Sequence, residues 1–285
     1  MRFLVIGASG AQGGAVARRL AADGHEVRGF SRTANVPEGV RHFPGDLGDA
    51  VRVKEAFDGV THASVVLPME FDPATVSAYV RHVIGGARAG GVRRLVFTTG
   101  NRLPEPRSGG ETGVAAFDTR RAAAAALLDS GVPVVVLRPP LYADNLLAPW
   151  VSGPLASAGV LRYPVPARVA VPWLTHDDLG AATAAALTRD GLDGLTLDVG
   201  GPQALTGDEL AAAFGPEVRY EELDVDAFES GLARMAGAPA AAGVAATYRW
   251  IRDTDGFFAT AHDAGERLGV PLTPLGDWIA ARGLS

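Results

Sequence analysis

The chain contains no cysteine, which excludes disulfides, thiolate metal sites and cysteine nucleophiles. Lysine is nearly missing too: Lys54 is the sole lysine among 26 basic residues. No run approaches the roughly 18 apolar residues of a membrane helix, and the apolar start Phe3–Ile6 breaks at Gly7, too soon for a signal peptide. There is no basic excess either. The net charge is −6 and the pI near 5.5, without the footprint of a nucleic-acid binder; Arg93-Arg94 and Arg120-Arg121 read as helix-end or site charges. The histidines His25, His42, His62, His82 and His262 show no metal-ligand spacing. These absences lead us to expect a cytoplasmic protein with a small-molecule partner and no metal, membrane or nucleic acid. Scarce lysine with abundant alanine also points to a GC-rich genome, such as an actinomycete's.

What remains is ample for a large core: 285 residues, 47% apolar and 20% charged, enough for an α/β domain with an added lobe. The most informative stretch is at the amino end. Phe3-Leu4-Val5-Ile6 reads as a buried strand, Gly7-Ala8-Ser9-Gly10-Ala11-Gln12-Gly13-Gly14 as a tight turn, and Ala15–Leu20 as a helix. Glycines let the backbone turn sharply and approach a diphosphate, while the helix start offers unpaired N–H groups and its positive dipole end. Gly7, Ser9, Gly10, Ala11, Gln12 and Gly13 are therefore candidate cofactor contacts. The alternative is a purely structural turn, but the strand–turn–helix setting is the one a dinucleotide motif requires.

Strand-length apolar runs follow at His25–Phe30, Val40–Phe43, Ala63–Leu67, Leu95–Thr98, Val134–Leu137 and Leu195–Val199. Helical stretches separate them at Val51–Phe57, Pro73–Ala89, Arg120–Asp129 and Asp178–Thr188, the last with Thr175 or Asp177 as N-cap. The alternation predicts an α/β fold: a Rossmann-like doubly wound parallel sheet with a smaller C-terminal α+β lobe. The expected division is 1–145 and 170–200 for the dinucleotide domain, 146–169 and 201–285 for the lobe. Asn101–Ala116 is a long Pro/Gly-rich loop leaving the sheet's carboxyl edge. Leu146–Arg168 reads as irregular but apolar, either a satellite core or the wall of a pocket for an aromatic substrate. Thr206 and Glu209 have capping-box spacing.

The second strand ends Ser31-Arg32 without the carboxylate that NAD-binding chains place against the ribose. Arg32 could fork onto a 2′-phosphate, with Ser31 as a further donor, so NADP(H) is favoured and NAD(H) comes second. The other reading of Arg32 is a solvated loop residue. At the next strand end, Asp46 could accept from the adenine amino group with Leu47 against the ring, or cap the following helix. Leu67, Thr98 and Pro139, all at strand ends, complete the expected cofactor contacts.

Together these residues resemble the NmrA-like branch of the atypical short-chain dehydrogenase/reductases. The resemblance spans nearly the whole chain. It rests on the Gly7–Gly13 turn, Arg32, Gly45-Asp46-Leu47, Leu95–Thr99, Ser130–Pro139, Tyr142–Leu146, Val171–Leu179 and Gly200-Gly201-Pro202 with Leu205-Thr206. It implies NADP(H) between a Rossmann domain and a small lobe; members include quinone reductases and redox-sensing regulators. The parent superfamily uses a tyrosine with a lysine four residues later, and no tyrosine here (Tyr79, Tyr142, Tyr163, Tyr220, Tyr248) precedes Lys54 in that way. Where relatives keep a lysine in the helix before Ser130-Gly131, this chain has Arg121, which could still contact the nicotinamide ribose or a phosphate of the cofactor but is a poor proton relay. Thr98 and Thr99 stand at the superfamily's serine position, and either hydroxyl could orient a carbonyl or simply end the strand.

Loss of the acid–base pair points to acceptors that tolerate weak acid catalysis: quinones, flavins and extended enones. Thr99, Tyr142 and His176 are the candidate catalytic groups, with Asn145 as an auxiliary; His176 could equally be a structural hydrogen-bonder. The expectation is an NADPH-dependent oxidoreductase of a quinone-like or polyaromatic compound, with a polyketide-tailoring role natural in an actinomycete. The alternative is a catalytically silent NADP(H)-binding sensor acting through a protein partner. A homodimer is left open.

Overall fold

The computed structural model describes residues 1–104, 111–254, 256–258 and 264–284; His262 and the middle of the 101–116 loop lie outside them. Seven strands form one parallel sheet: β1 (Arg2–Ile6), β2 (Glu26–Ser31), β3 (Val40–Pro44), β4 (His62–Val66), β5 (Arg94–Thr98), β6 (Val134–Arg138) and β8 (Thr196–Asp198). Their order is β3-β2-β1-β4-β5-β6-β8, with every neighbouring pair parallel. Strand order reverses between β1 and β4, and ligands of such sheets bind outside the carboxyl ends at that point.

Alternation along each strand serves two cores, because successive side chains leave opposite faces. Leu4 and Ile6 join Phe57, Val65, Phe97 and Val136 on one face. Phe3 and Val5 join Leu20, Val96, Leu137 and Leu187 on the other. The covering helices are α1 (Ala11–Ala22), α2 (Ala50–Ala56), α3 (Pro73–Ala89), α4 (Ala115–Leu128) and α6 (His176–Thr188). Asp49 caps α2, Asp72 caps α3 and Thr175 caps α6, each accepting from first-turn N–H groups. Asp49 rather than Asp46 therefore fills the cap position before α2. Asp46 instead closes a turn by accepting from the Gly48 N–H at 2.8 Å.

A third core lies over the carboxyl edge. It gathers α5 (Pro149–Ala158), β7 (Val160–Tyr163), α7 (Gly207–Phe214), β9 (Arg219–Glu222), α8 (Val225–Ala236), α9 (Ala238–Arg252) and α11 (Leu275–Ala280); α10 (Ala264–Leu268) packs on the main sheet. β7 pairs with β9 in parallel. The Thr206–Glu209 capping box is present at α7. The segment read as irregular is thus largely ordered: Pro149 starts α5, where its missing N–H is harmless, and burial of Val151 and Leu161 overrides the interior Pro154. This core also draws Leu103, Leu141 and Ala143 from the sheet's own connections and Phe117 from α4. Among the described residues, no helix is long and apolar enough to cross a membrane, and no cluster of candidate metal ligands occurs.

Candidate active site

The glycine turn packs backbone on backbone. The Gly7 N–H donates to the Phe30 carbonyl at 3.0 Å, and Gly10 N–H to the Gly7 carbonyl at 2.9 Å. Gly7 sits at φ +82°, a region only glycine adopts readily. Gly13 presses its α-carbon against Gly7 so closely that a methyl there would overlap the Gly7 carbonyl and lie 3.1 Å from the Ala8 nitrogen. Gly10, the N-cap of α1, has extended backbone and no side chain to cap the helix, and no acidic residue occupies the first turn. The leading N–H groups of α1 are thereby kept for an anion.

Two clefts open from this turn along the carboxyl edge, sharing Val66, Leu67 and Pro68. The smaller, about 220 Å³, is lined by Gly7, Ser9, Gly10, Ser31, Arg32, Asp46, Leu47 and Tyr79. Arg32 leaves 76% of its side chain exposed, 3.9 Å from the Asp46 carboxylate. The Ser31 hydroxyl donates to the Thr33 carbonyl at 2.8 Å, leaving its lone pairs free. Leu47 is buried, its carbonyl held by His82 Nδ1 at 2.8 Å. Ala11 faces a separate groove with Ser9 and Gly10, and Gly13 is buried inside the turn.

The larger cleft, about 310 Å³, lies between the sheet edge and the lobe. Gln12, Leu67, Thr98, Thr99, Asn101, Arg120, Tyr142 and Asn145 line it from the sheet side, and Phe71, Trp150, Tyr163, Phe228 and Tyr248 form its aromatic wall. Four polar atoms on its sheet side are buried without a partner: Gln12 Oε1, Thr98 Oγ1, Asn101 Oδ1 and Tyr142 Oη. Buried polar groups in native proteins are nearly always satisfied, so four orphans on one cleft call for a polar ligand. An uncapped helix, orphaned amide and hydroxyl groups, and an arginine-bearing side cleft together fit a nicotinamide dinucleotide phosphate.

Several expected groups prove differently placed. Thr99 lines the cleft, but its hydroxyl proton goes to the Asn101 carbonyl at 2.5 Å or to Leu137 at 3.3 Å; the unengaged hydroxyl belongs to Thr98. Arg121, expected against the cofactor, is not among the residues that line the cleft. Arg121 turns to Asp118, at 3.2 Å, and to the Pro104 carbonyl, whereas the buried Arg120 reaches the cleft. One residue along α4 is a rotation of about 100°, and the run of alanines gave no apolar stripe from which to read that rotation. Pro139 is buried beside the cleft while Pro140 lines it.

His176 stands outside the cleft lining. Its ring lies 4.7 Å from that of Tyr142, and its Nδ1 is 3.5 Å from Asp144. Burial would raise the Asp144 carboxyl, but the hydrogen bonds and charge of His176 outweigh it and hold the group below its usual range. His176 thus steadies Tyr142 from behind. Burial pushes the Tyr142 phenol well above its ordinary value, so it stays protonated and offers a hydrogen bond.

Arg120, read from the sequence only as a helix-end or site charge, lines the cleft together with Tyr163 and Tyr248, two phenols not among the expected site residues. Arg120 donates to the carbonyls of Glu70, at 2.9 Å, and Pro68, and stacks 5.2 Å from Phe71. Burial lowers its pKa to about 10, against the opposing pull of Glu70, so it is cationic at neutral pH.

Residues 1–258 match the NmrA-like family. A (4-alkanoyl-5-oxo-2,5-dihydrofuran-3-yl)methyl phosphate reductase of Streptomyces griseus is 34% identical, the match covering 98% of this chain and 96% of the relative. Quinone oxidoreductase 2 of Escherichia coli is 25% identical over 85% of this chain and 82% of its own. The Citrobacter triphenylmethane reductase complexed with NADP(H) superposes with a TM-score of 0.79, at 22% identity and 99% coverage of both chains.

Proposed function

The chain belongs to the NmrA-like family, and from that premise we propose that it is an NADPH-dependent reductase of a conjugated carbonyl compound, quinone-like or enone, with an aromatic or similarly flat body. The observation that carries this reading is the larger cleft. It sets the unpartnered hydroxyls of Thr98 and Tyr142 on one side of an aromatic chamber. Through Val66, Leu67 and Pro68 it continues into the pocket that holds Arg32. Gly10–Gly13 would hold the diphosphate, Arg32 the 2′-phosphate, Asp46 and Leu47 the adenine, and Gln12 and Thr98 the nicotinamide end. When bound, the cofactor supplies a hydride.

The chain's own part is to exclude water and steady developing negative charge. No tyrosine precedes a lysine by four residues, and the buried Tyr142 is too weak an acid to give up its proton readily. An isolated ketone would generate a strongly basic alkoxide and would be a poor acceptor. A quinone or an acyl-activated alkene spreads the charge over several atoms, so a hydrogen bond suffices and water supplies the proton. Two relatives, a quinone oxidoreductase and the reductase of an acylated unsaturated lactone, support this substrate class. A tailoring step on a polyketide-like scaffold is part of the same proposal.

The test is the loss of NADPH absorbance against quinones, flavins, enones and saturated ketones. Turnover is expected with quinones or acyl-activated enones, at least about tenfold faster than with saturated ketones. Tight NADPH binding with no acceptor reduced would contradict the reductase and leave a dinucleotide sensor.

A further inference from the structure

Building on the reductase reading, we infer that Tyr248, backed by Tyr163 and Asn145, is a hydrogen-bond donor for a substrate carbonyl oxygen on the lobe side of the cleft. The three residues come from distant parts of the chain: the 3₁₀ turn Ala143–Leu147, β7 and α9. Asn145 Nδ2 donates to Tyr163 Oη at 3.2 Å, and the two phenolic oxygens lie 2.9 Å apart. All three residues line the cleft.

Counting protons leads to the donor. The pair holds two O–H groups, and the contact between them uses one. No described residue accepts the other. Tyr220, the remaining phenol nearby, donates to the backbone carbonyls of Val165, at 2.6 Å, and Tyr163, and the Thr247 hydroxyl donates to the Val244 carbonyl at 2.7 Å. The 2.9 Å contact admits either phenol as donor, and the arrangement in which each donation polarises the next runs Asn145 to Tyr163 to Tyr248. It ends on the Tyr248 O–H. Tyr163 is fully buried, whereas Tyr248 keeps 5% of its surface open, and both rings line the cleft. Edge contacts fix both rings: Tyr248 lies 5.0 Å from Phe228, and Tyr163 lies 5.1 Å from Trp173. Burial pushes both phenols up, so both remain protonated at neutral pH.

In this walled site a single hydrogen bond to oxygen gains strength from the low local dielectric. As a hydride from the dihydronicotinamide forms the new C–H bond, the π pair of the conjugated system moves onto the carbonyl oxygen that Tyr248 holds. A nicotinamide dinucleotide held in the cleft would supply that hydride and its two electrons, and a proton from water completes the reduced product. Tyr248 contacts substrate in this scheme; Tyr163 and Asn145 are positioning residues.

The test separates this inference from the reductase reading by measuring binding without turnover. Wild type and Tyr248→Phe, loaded with NADP⁺, are titrated calorimetrically with 1,4-naphthoquinone and with naphthalene, which lacks the carbonyls. Tyr248→Phe should weaken naphthoquinone roughly tenfold, with naphthalene and NADP⁺ affinities within about twofold of wild type. Tyr163→Phe, which cuts the chain one link back, should lose a factor of roughly two to four; it carries the test should the first variant misfold. Equal losses for both ligands, no loss for either, or no quinone binding by wild type would overturn the inference. A selective binding loss in a protein that reduces no acceptor would leave this donor site standing and remove the reductase reading. Turnover without the selective loss would do the reverse.

Discussion

Gly13→Ala is expected to weaken NADPH binding by about 100-fold or more and to lower stability by on the order of 2–3 kcal/mol. The added methyl would meet the Gly7 carbonyl carbon at 2.6 Å and the Ala8 nitrogen at 3.1 Å. Those are backbone atoms, and no side chain can move aside. Relief requires shifting the start of α1 away from the end of β1, and that shift takes with it the N–H groups meant for the diphosphate. Hydrogen bonds to a charged group contribute about 1.5–3 kcal/mol each, so losing two of them accounts for the affinity loss. Gly14→Ala is the control: its methyl meets nothing nearer than the Ala8 carbonyl oxygen at 3.4 Å, and binding should stay within about threefold of wild type. Calorimetric titration and a thermal melt of both variants check the pair. Similar losses in the two would contradict the account.

Arg120→Met should cost about 2–4 kcal/mol of stability and raise the Michaelis constant for substrate, with NADPH affinity changed less. Methionine matches the buried stem but cannot donate. The Pro68 and Glu70 carbonyls then lose the guanidinium that gathers them, and Phe71 loses its stacking partner. The Phe71 ring sits hard against Gly243 of α9, on ground that a Cβ at 243 would occupy. The arginine therefore couples the cleft floor to the lobe that carries Tyr248. Burial lowers the Arg120 pKa to about 10, below the usual 12.5. Between those values the unfolded chain holds a proton that the folded chain has released, so this group's contribution to stability rises with pH only above about 10. The loss on substitution should accordingly be flat from pH 6 to 9. Urea melts at several pH values, read at constant m-value, test this; a strongly pH-dependent loss in that range would assign the effect elsewhere.

How much was legible in advance varied with the locality of the signal. The β1–turn–α1 unit announces itself because apolar run, glycine spacing and helix start are contiguous in Phe3–Ala22. The parallel sheet follows from runs such as Val134–Leu137, whose side chains are buried on both faces. Helix α5 stayed hidden because Pro149 and Pro154 look like loop residues until tertiary burial is known. Arg121 was reached by its place before Ser130-Gly131, and the alanines that follow the arginine pair give no amphipathic contrast from which to read which arginine faces the cleft. The phenol pair left no local trace, since Tyr163 and Tyr248 are 85 residues apart and meet only through packing of the lobe. His176 was legible as a neighbour of the site, but its place behind Tyr142 depends on Asp144 drawing the imidazole away from the cleft.

The central claim is that the amino-terminal turn and Arg32 together hold the phosphates of NADPH. Equilibrium titration of wild type and Arg32→Ala with NADPH and with NADH tests it most directly. Wild type should prefer NADPH by at least about tenfold, and the variant should lose roughly 10- to 100-fold for NADPH and almost nothing for NADH. Equal losses for the two nucleotides, or no measurable affinity of wild type for either, would contradict it.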